Sequence, residues 1–365
     1  MDAEGSRVNV DRLLELTAAM LAAAGVAQTD ARTVAASLVD ADLRGIHSHG
    51  VGRLAIYVER LRTGGNQRTG EPAVVLDAPS LAVLDAGELL AQVGSARAVE
   101  IAATKARTTG SGVVSVRGAS HFGAAGYWAR LLADQGMLGV AACNTTPVMA
   151  AWAGSTTAIG SNPLAMAFPS AGDAPVVVDV ATSETTWGAL LQAETAGTPI
   201  PDTWALGLDG RPTTSPVEAV AAGRLRPFAR HKGYALAVGV ELLSGALAGA
   251  NCLSRVAHLY LEPDRPMGAG LFFVAVDPGA LSEEHARGFA KQVHEVQQEL
   301  GALPPQNDGE RVLWPGQLEA ERAMRGVRDG VPLPPPIAES LISLARELGV
   351  GEGVLAPLET DGSVR

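Results

Sequence analysis

The chain has 365 residues, 47% of them hydrophobic and 18% charged, enough apolar material for a large core and more than one lobe. A net charge of −11 repels phosphate backbones and argues against a nucleic-acid partner. Two cysteines, Cys143 and Cys252, cannot build a disulfide framework, so a reducing, cytoplasmic setting is expected. The opening MDAEGSRVNVDR has no apolar signal core.

In chain order, residues 10–24 place Val10, Leu13, Leu14 and Leu21 at helical spacing, with Gly25 as the stop. A second helix is expected over 29–43, capped by Thr29 or Asp30 and ended by Gly45. Ser48 reads as the cap of a third helix running through Leu61, and residues 63–72, TGGNQRTGEP, as a loop. Strand-like runs follow at 81–87, 112–118, 138–145, 164–170 and 175–183, with helical patterns at 95–109 and 124–135. Residues 200–216 are turn-rich, and 232–250 read as one long apolar helix. Its apolar part, 234–250, contains Glu241 and is shorter than the ~20 residues a membrane span needs, so it is expected to be buried in protein. A strand at 270–278, a charged helix at 282–300, a stiff linker VPLPPP at 331–336 and a last helix at 337–348 complete the chain. Helices interleaved with strands indicate a mixed α/β or α+β fold. Neither GxGxxG nor GxxxxGK[ST] occurs, so a Rossmann or P-loop nucleotide site has no support.

Two stretches carry chemistry. GIHSHGVGRLAIY (45–57) holds Ser48, His49, Arg53 and Tyr57. If Ser48 caps a helix, His49, Arg53 and Tyr57 recur every fourth residue and form one polar stripe. Histidine moves protons near neutral pH, arginine grips a carboxylate through paired hydrogen bonds, and Ser and Tyr donate to oxygen. SHFGAAGYW (120–128) puts His121 at the end of a strand and the start of a helix, among Gly123 and Gly126, which let a ligand approach the backbone. Two Ser-His pairs, each beside glycines at a helix start, favour a site over two solvated faces. A different chemistry is a metal-dependent hydrolase, with His47, His49 and His121 holding zinc.

At these motifs the sequence resembles the type 2 malate/L-lactate dehydrogenase family, which includes L-sulfolactate and ureidoglycolate dehydrogenases, 2,3-diketogulonate reductase and Δ1-piperideine-2-carboxylate reductase. The resemblance continues at IGSNPLAMAFP (159–169), VVDVATS (177–183), PIPDTWALGLDGRPTTSP (199–216), HKGYALA (231–237), VELLSG (240–245) and WPGQ (314–317), nearly the whole chain in one order. It implies a mixed α/β, L-sulfolactate dehydrogenase-like fold that is not Rossmann, with a helical N-terminal segment. It implies hydride transfer between NAD or NADP and a small 2-oxo or 2-hydroxy acid in a homodimer with sites near the subunit interface. By the same resemblance, residues 1–80 belong to a substrate and dimerisation domain, 81–250 to a central cofactor domain, and 251–365 return to the first.

Ser48, His49, Arg53 and His121 would line the substrate pocket, with Tyr57 as a further donor. His121 or His49 would carry the proton, with a rate–pH inflection near the ordinary imidazole pKa of ~6.5, and Asp179 would orient one of them or touch the cofactor. Ser161, Asn162, Pro163, Asp179, Ala181, Thr182, Ser183, His231, Lys232, Pro315, Gly316 and Gln317 would hold the dinucleotide. The chain also departs from the family's pattern. His47 stands where many relatives have Asp, 183–189 lack an Arg-Gly-Lys run, and Ala229-Arg230 replaces a common Gly-Gly. Those departures point to an unusual substrate, such as a cyclic imino acid or a biosynthetic intermediate. A third reading is a non-catalytic relative that keeps the fold as a dimeric binding protein.

Overall fold

A computed structural model describes residues 6–351; residues 1–5 and 352–365, which the expected outer domain includes, lie outside the described residues. The described chain begins with β1 (Ser6–Val8) and α1 (Val10–Ala23), the latter capped by the Asn9 side-chain oxygen, which accepts the Asp11 and Arg12 N–H groups. Next come α2 (Gln28–Leu43), α3 (Leu54–Thr63), β2 (Ala73–Asp77), β3 (Leu81–Asp85), α4 (Ala91–Thr109), β4 (Ser111–Ala119), α5 (Ala125–Ala133) and β5 (Leu138–Cys143). They are followed by β6 (Met149–Ala150), β7 (Thr157–Ile159), β8 (Leu164–Phe168), β9 (Val176–Val180), α6 (Trp187–Ala196), α7 (Pro216–Ala222) and α8 (His231–Glu241). The described residues close with β10 (Ala269–Val276), α9 (Glu283–Gly301), α10 (Gln317–Asp329), β11 (Val331–Leu333) and α11 (Pro335–Glu347).

Seven strands form one mixed sheet in the order β2-β3-β4-β10-β5-β8-β9, in which β3–β4 is parallel and every other pair antiparallel. That order is not a doubly wound parallel sheet, in agreement with the missing glycine fingerprint. The chain's many alanines have a purpose here. Ala98, Ala102 and Ala106 of α4 and Ala129 of α5 are fully buried against the sheet, where small side chains let the helices come close. A Cβ on Gly112 of β4 would lie 2.0 Å from the Ala102 carbonyl oxygen, so only glycine permits that approach. A second core joins α1, α2 and α3 to β1, β11 and α11 through Leu13, Leu38, Leu54, Val331 and Leu341. A third gathers Met149, Leu190, Ile200, Leu225 and Ala237 from β6, α6, α8 and the segments between them.

Several elements differ from the sequence expectation. VPLPPP is not a linker: Val331–Leu333 pairs antiparallel with Ser6–Val8, and Pro335 then opens α11, where a missing N–H costs nothing. The apolar run 232–250 is helical as far as Ala246 but is not α-helical throughout. α8 ends at Glu241 and passes into a π-type turn, Leu242–Ala246, that leaves Leu242, Leu243 and Leu247 exposed. None of the described helices is long and apolar enough to cross a membrane.

A buried guanidinium ties α3 to the segment before β10. Arg60 has no exposed surface and donates to Asn66 Oδ1 and to the carbonyl oxygens of Gly65, Leu259, Glu262 and Arg265. Removing it strands those acceptors at about 1–3 kcal/mol for each that stays dry. Arg60→Met is therefore expected to lower the unfolding free energy by at least about 3 kcal/mol in a denaturant titration. A loss below about 1 kcal/mol would show that this clamp is not part of the fold's stability.

Candidate active site

The 47–53 segment is not the start of a helix. Two short 3-10 turns, His47–His49 and Val51–Arg53, flank an extended Gly50, and α3 begins only at Leu54. The reason is Asp42, at the end of α2 and fully buried. Its Oδ2 accepts the Val51 N–H at 2.7 Å, a donor that a continuing helix would send to the His47 carbonyl. Its Oδ1 accepts from His47 Nδ1 at 2.8 Å. A Cβ on Gly50 would lie 2.2 Å from the same carboxyl group. Burial raises the Asp42 pKa, and the hydrogen bonds from His47 and Val51 pull it back.

This path gathers the polar residues in a different way from a helical stripe. Ser48 Oγ lies 2.9 Å from His49 Nδ1, and Arg53 Nε donates to the Ser48 carbonyl at 2.5 Å. The terminal nitrogens of Arg53 make no hydrogen bond to protein among the described residues, and its Cζ stands 5.6 Å from the centre of the Tyr260 ring. The rings of His49 and His121 stack at 5.5 Å with 22° between their planes. Tyr57 is buried, not aimed at a ligand: its hydroxyl lies 2.7 Å from His121 Nδ1 and accepts from Gln92 Nε2 at 2.9 Å. Its expected role as a donor to substrate is thus replaced by support of His121. Its own pKa is pushed up to about 12 by burial.

The cluster is crowded. His49 and His121 are partly exposed, yet the surrounding protein strips away enough water to lower the His49 pKa to about 4 and to hold His121 well below the usual imidazole range. Loss of solvation is the main cause in both, and the nearby Arg53 charge adds to it. The expected inflection near ~6.5 is thereby moved down in the ligand-free protein. The exposed Asp179 of β9 accepts the Gly126 N–H at 2.8 Å, at the start of α5. Crowding raises its carboxyl to about 6 while that N–H works against the rise. Asp179 hydrogen-bonds neither histidine.

His47, His49 and His121 do not form a metal site. His47 turns its Nδ1 to Asp42, and no group of three or more His, Cys, Asp and Glu among the described residues is arranged to hold an ion. That removes the basis of the hydrolase alternative.

The segments expected at the cofactor come together. The Thr182 N–H donates to the Ser161 carbonyl, the Phe228 N–H to the Thr182 carbonyl, and Ser183 pairs with Pro227. Beside them a cavity of about 410 Å³ is lined by Trp152, Ser155, Glu184, Arg226 and Arg230. Arg230 lies 5.3 Å over the Trp152 ring, just before the exposed His231 and Lys232 at the start of α8. Gly316 packs its backbone on Val177, and the Val177 N–H donates to Pro315, so that turn borders β9 next to Asp179. The two clusters meet at Gly188 of α6, where a Cβ would lie 3.9 Å from the Ser48 Cβ. Several of these side chains are already committed within the protein. Asn162 donates to the Ala237 carbonyl and Glu241 Oε2 and accepts from Thr145. The Thr182 and Ser183 hydroxyls donate to backbone oxygens, and Gln317 binds Trp314 N–H and Glu321. What these residues offer a ligand is backbone and shape. Pro163 and Ala181, half-buried, offer no polar side-chain atom in any case.

Three residues escaped the sequence reading. Asp42 was hidden in a helical pattern, though a carboxylate on an apolar stripe is a signal. Gln92 sits in the first turn of α4, whose start has no side-chain cap to mark it. Tyr260 lies far along the chain, with nothing local to connect it to Arg53.

The chain matches the family model for malate/L-lactate dehydrogenase over residues 8–342. It is 34% identical to the L-sulfolactate dehydrogenase of Methanothermobacter thermautotrophicus, over 94% of this chain and 98% of that protein. It is 33% identical to the ureidoglycolate dehydrogenase (NAD(+)) of Escherichia coli O157:H7, over 92% and 95%. Among solved structures, the sulfolactate dehydrogenase of Methanocaldococcus jannaschii aligns with a TM-score of 0.86 at 33% identity, covering 94% of this chain and 98% of that one.

The Asp42–Gly50 contact makes a testable pair. Gly50→Ala forces a methyl group into the Asp42 carboxyl group and is expected to cost about 1–3 kcal/mol of unfolding free energy. In an Asp42→Ala background the same change should cost clearly less, because the obstructing group is gone. Strict additivity of the two changes would contradict this packing.

Proposed function

Because the chain belongs to the malate/L-lactate dehydrogenase family, and is an oxidoreductase that uses a nicotinamide cofactor, we propose that it interconverts a small 2-oxo and 2-hydroxy acid in the cleft between Arg53, His49 and His121. The observation that carries this reading is the pair of unengaged Arg53 terminal nitrogens beside two stacked imidazoles that are neutral at pH 7. A 2-oxo acid offers a carboxylate for the guanidinium fork and an adjacent oxygen for an imidazole. Ser48, tied to His49, and Tyr260, over Arg53, border the acid end.

The residues present fit a dinucleotide, NAD or NADP. Such a ligand asks for flat apolar surface and for cations with free backbone donors at its phosphates. Trp152 offers the surface and Arg226 and Arg230 the cations around the 410 Å³ cavity, and the exposed Lys232 follows Arg230 at the start of α8. When bound, the nicotinamide ring supplies the hydride chemistry. The protein's own work is to hold the acid on Arg53, to exclude water, and to handle the proton on the hydroxyl oxygen. His121 is the proposed carrier, since the end of β4 and the Tyr57 bond fix its ring, and His49 orients the acid end.

We read the assembly as a homodimer and the location as cytoplasmic. The exposed Leu242, Leu243 and Leu247 support the first, and the two free cysteines support the second. Residues 1–80 and 251–365 would make the substrate and dimerisation domain around a central 81–250. What supports this is the core shared by α1–α3 with β11 and α11.

Two measurements test the site. Arg53→Lys keeps the charge but loses the fork, and is expected to lower kcat/KM for the 2-oxo acid about 30- to 150-fold, the worth of ~2–3 kcal/mol, with cofactor affinity intact. An unchanged kcat/KM would remove Arg53 from the acid. For oxidation of the hydroxy acid, neutral imidazole is the active form. The kcat/KM profile should therefore stay flat as pH falls through ~6.5 and drop only below it, because both histidine pKa values are lowered. A carboxylate on Arg53 cancels part of that lowering, so the inflection in kcat should lie at higher pH than that in kcat/KM. The reverse order would contradict the assignment.

A further inference from the structure

Gln92 is completely buried, and its side chain hydrogen-bonds the Tyr57 hydroxyl. Its Nε2 stands 2.9 Å from the Tyr57 hydroxyl, which stands 2.7 Å from His121 Nδ1. Its Oε1 has no hydrogen-bond partner among the described residues. A buried acceptor left unpaired costs about 1–3 kcal/mol, so an amide held this way calls for a reason.

The reason follows from donor and acceptor counting. An amide nitrogen only donates, so the Tyr57 oxygen accepts from Gln92. The Tyr57 proton has two acceptors in reach, His121 Nδ1 at 2.7 Å and the His121 carbonyl at 3.5 Å, and the shorter contact takes it. With the proton there, Nδ1 is the lone-pair nitrogen of the neutral ring and Nε2 carries the ring's proton. Turning the amide half a turn reverses every bond. Oε1 then accepts from the Tyr57 hydroxyl, the Tyr57 oxygen accepts from Nδ1–H, and Nε2 becomes the lone pair. Each face of the amide is compatible with one tautomer. The titratable and charged groups that act on His121 are His49, stacked on it, Arg53, and Tyr57 itself; none of them is an anion that would fix the ring on its own.

We infer that Gln92 is a positioning residue: its buried amide selects, through the Tyr57 hydroxyl, which nitrogen of His121 carries the proton. In the described orientation that nitrogen is Nε2, on the side of the ring away from Tyr57. The inference rests on, and deepens, the reading of His121 as proton carrier. A ring presenting N–H donates to a substrate carbonyl, and a ring presenting a lone pair accepts from a hydroxyl. In the described orientation the neutral ring offers Nε2–H as a hydrogen-bond donor that orients a substrate carbonyl; with the amide turned, the Nε2 lone pair takes the hydroxyl proton in oxidation and leaves an imidazolium, the form that returns a proton in reduction.

The test is 15N NMR of histidine-labelled full chain without cofactor, which reads the tautomer from the two ring-nitrogen shifts. In wild type the Nε2–H form of His121 is expected to exceed the other by about tenfold or more, as a bias of ~1.4 kcal/mol gives. In Gln92→Glu, with the carboxyl ionised, the side chain only accepts. The Tyr57 proton then turns to it, the His121 tautomer reverses to Nδ1–H, and the ring titrates at higher pH than in wild type. Gln92→Leu, similar in size and without polar atoms, should bring the two tautomers close to equal. It carries the test alone if the glutamate variant does not fold. An unchanged tautomer ratio in Gln92→Leu, or Nε2–H retained in a folded Gln92→Glu, overturns the inference. Because the ratio is read in the cofactor-free protein, it is independent of the nicotinamide reading, which fails separately if wild type binds neither NADH nor NADPH by calorimetry.

Discussion

Asp42 lies at the end of α2 with no surface of its own, takes the His47 ring on one carboxyl oxygen and the Val51 N–H on the other, and leaves room for Gly50 and nothing larger. A buried carboxylate is costly unless its oxygens are satisfied, and here the cheapest way to satisfy them is to break the 47–53 segment into two tight turns. That break brings Ser48 against His49, aims Arg53 back at the Ser48 carbonyl, and lets α3 begin late enough for Tyr57 to reach His121. The positions of the polar groups in the cleft thus follow from one local constraint, and the helices and sheet around it supply the rigidity.

The electrostatics of the cleft follow from the same crowding. Two imidazoles that would share protons near neutrality in water are held uncharged by lost solvation and by Arg53, so the guanidinium is the net charge of the substrate wall. An acid entering such a place meets one cation and two neutral rings, which suits a ligand with one carboxylate and one exchangeable oxygen. Across the cleft, cationic side chains near Trp152 and the start of α8 meet a chain that is otherwise acidic. That local inversion of sign is what a phosphate-bearing ligand requires.

Sequence reading recovered the long periodic elements well: α2, α9 and the strands β4, β5 and β8 appear within a few residues of where spacing put them. It failed where a tertiary partner decides. β2 is exposed along its whole length and has no alternation to reveal it, and Val331–Leu333 is a strand because β1 lies beside it, not because VPL looks like one. In the site, the identities of His49, Arg53, Tyr57 and His121 were legible as chemistry, but their arrangement was not. Spacing of four suggested a helix, and Asp42, five residues before the motif begins to matter, overrode it. The burial of Tyr57 and its link to Gln92 depend on two segments 35 residues apart, and no local pattern reports that. Asn162 and Gln317 were expected at the cofactor, yet their side chains are engaged within the protein.

The central claim is that the acid on Arg53 exchanges hydride with the nicotinamide while His121 manages the proton. The most direct measurement is single-turnover transfer of deuterium from the reduced cofactor carrying deuterium at both C4 positions to a 2-oxo acid, followed by mass spectrometry of the product, in wild type and in His121→Asn. The account predicts deuterium on C2 of the hydroxy acid in wild type, and the same product formed about 10²–10⁴ times more slowly in the variant at full cofactor occupancy. Equal transfer rates in the two proteins, or product that carries no deuterium at C2, would contradict it.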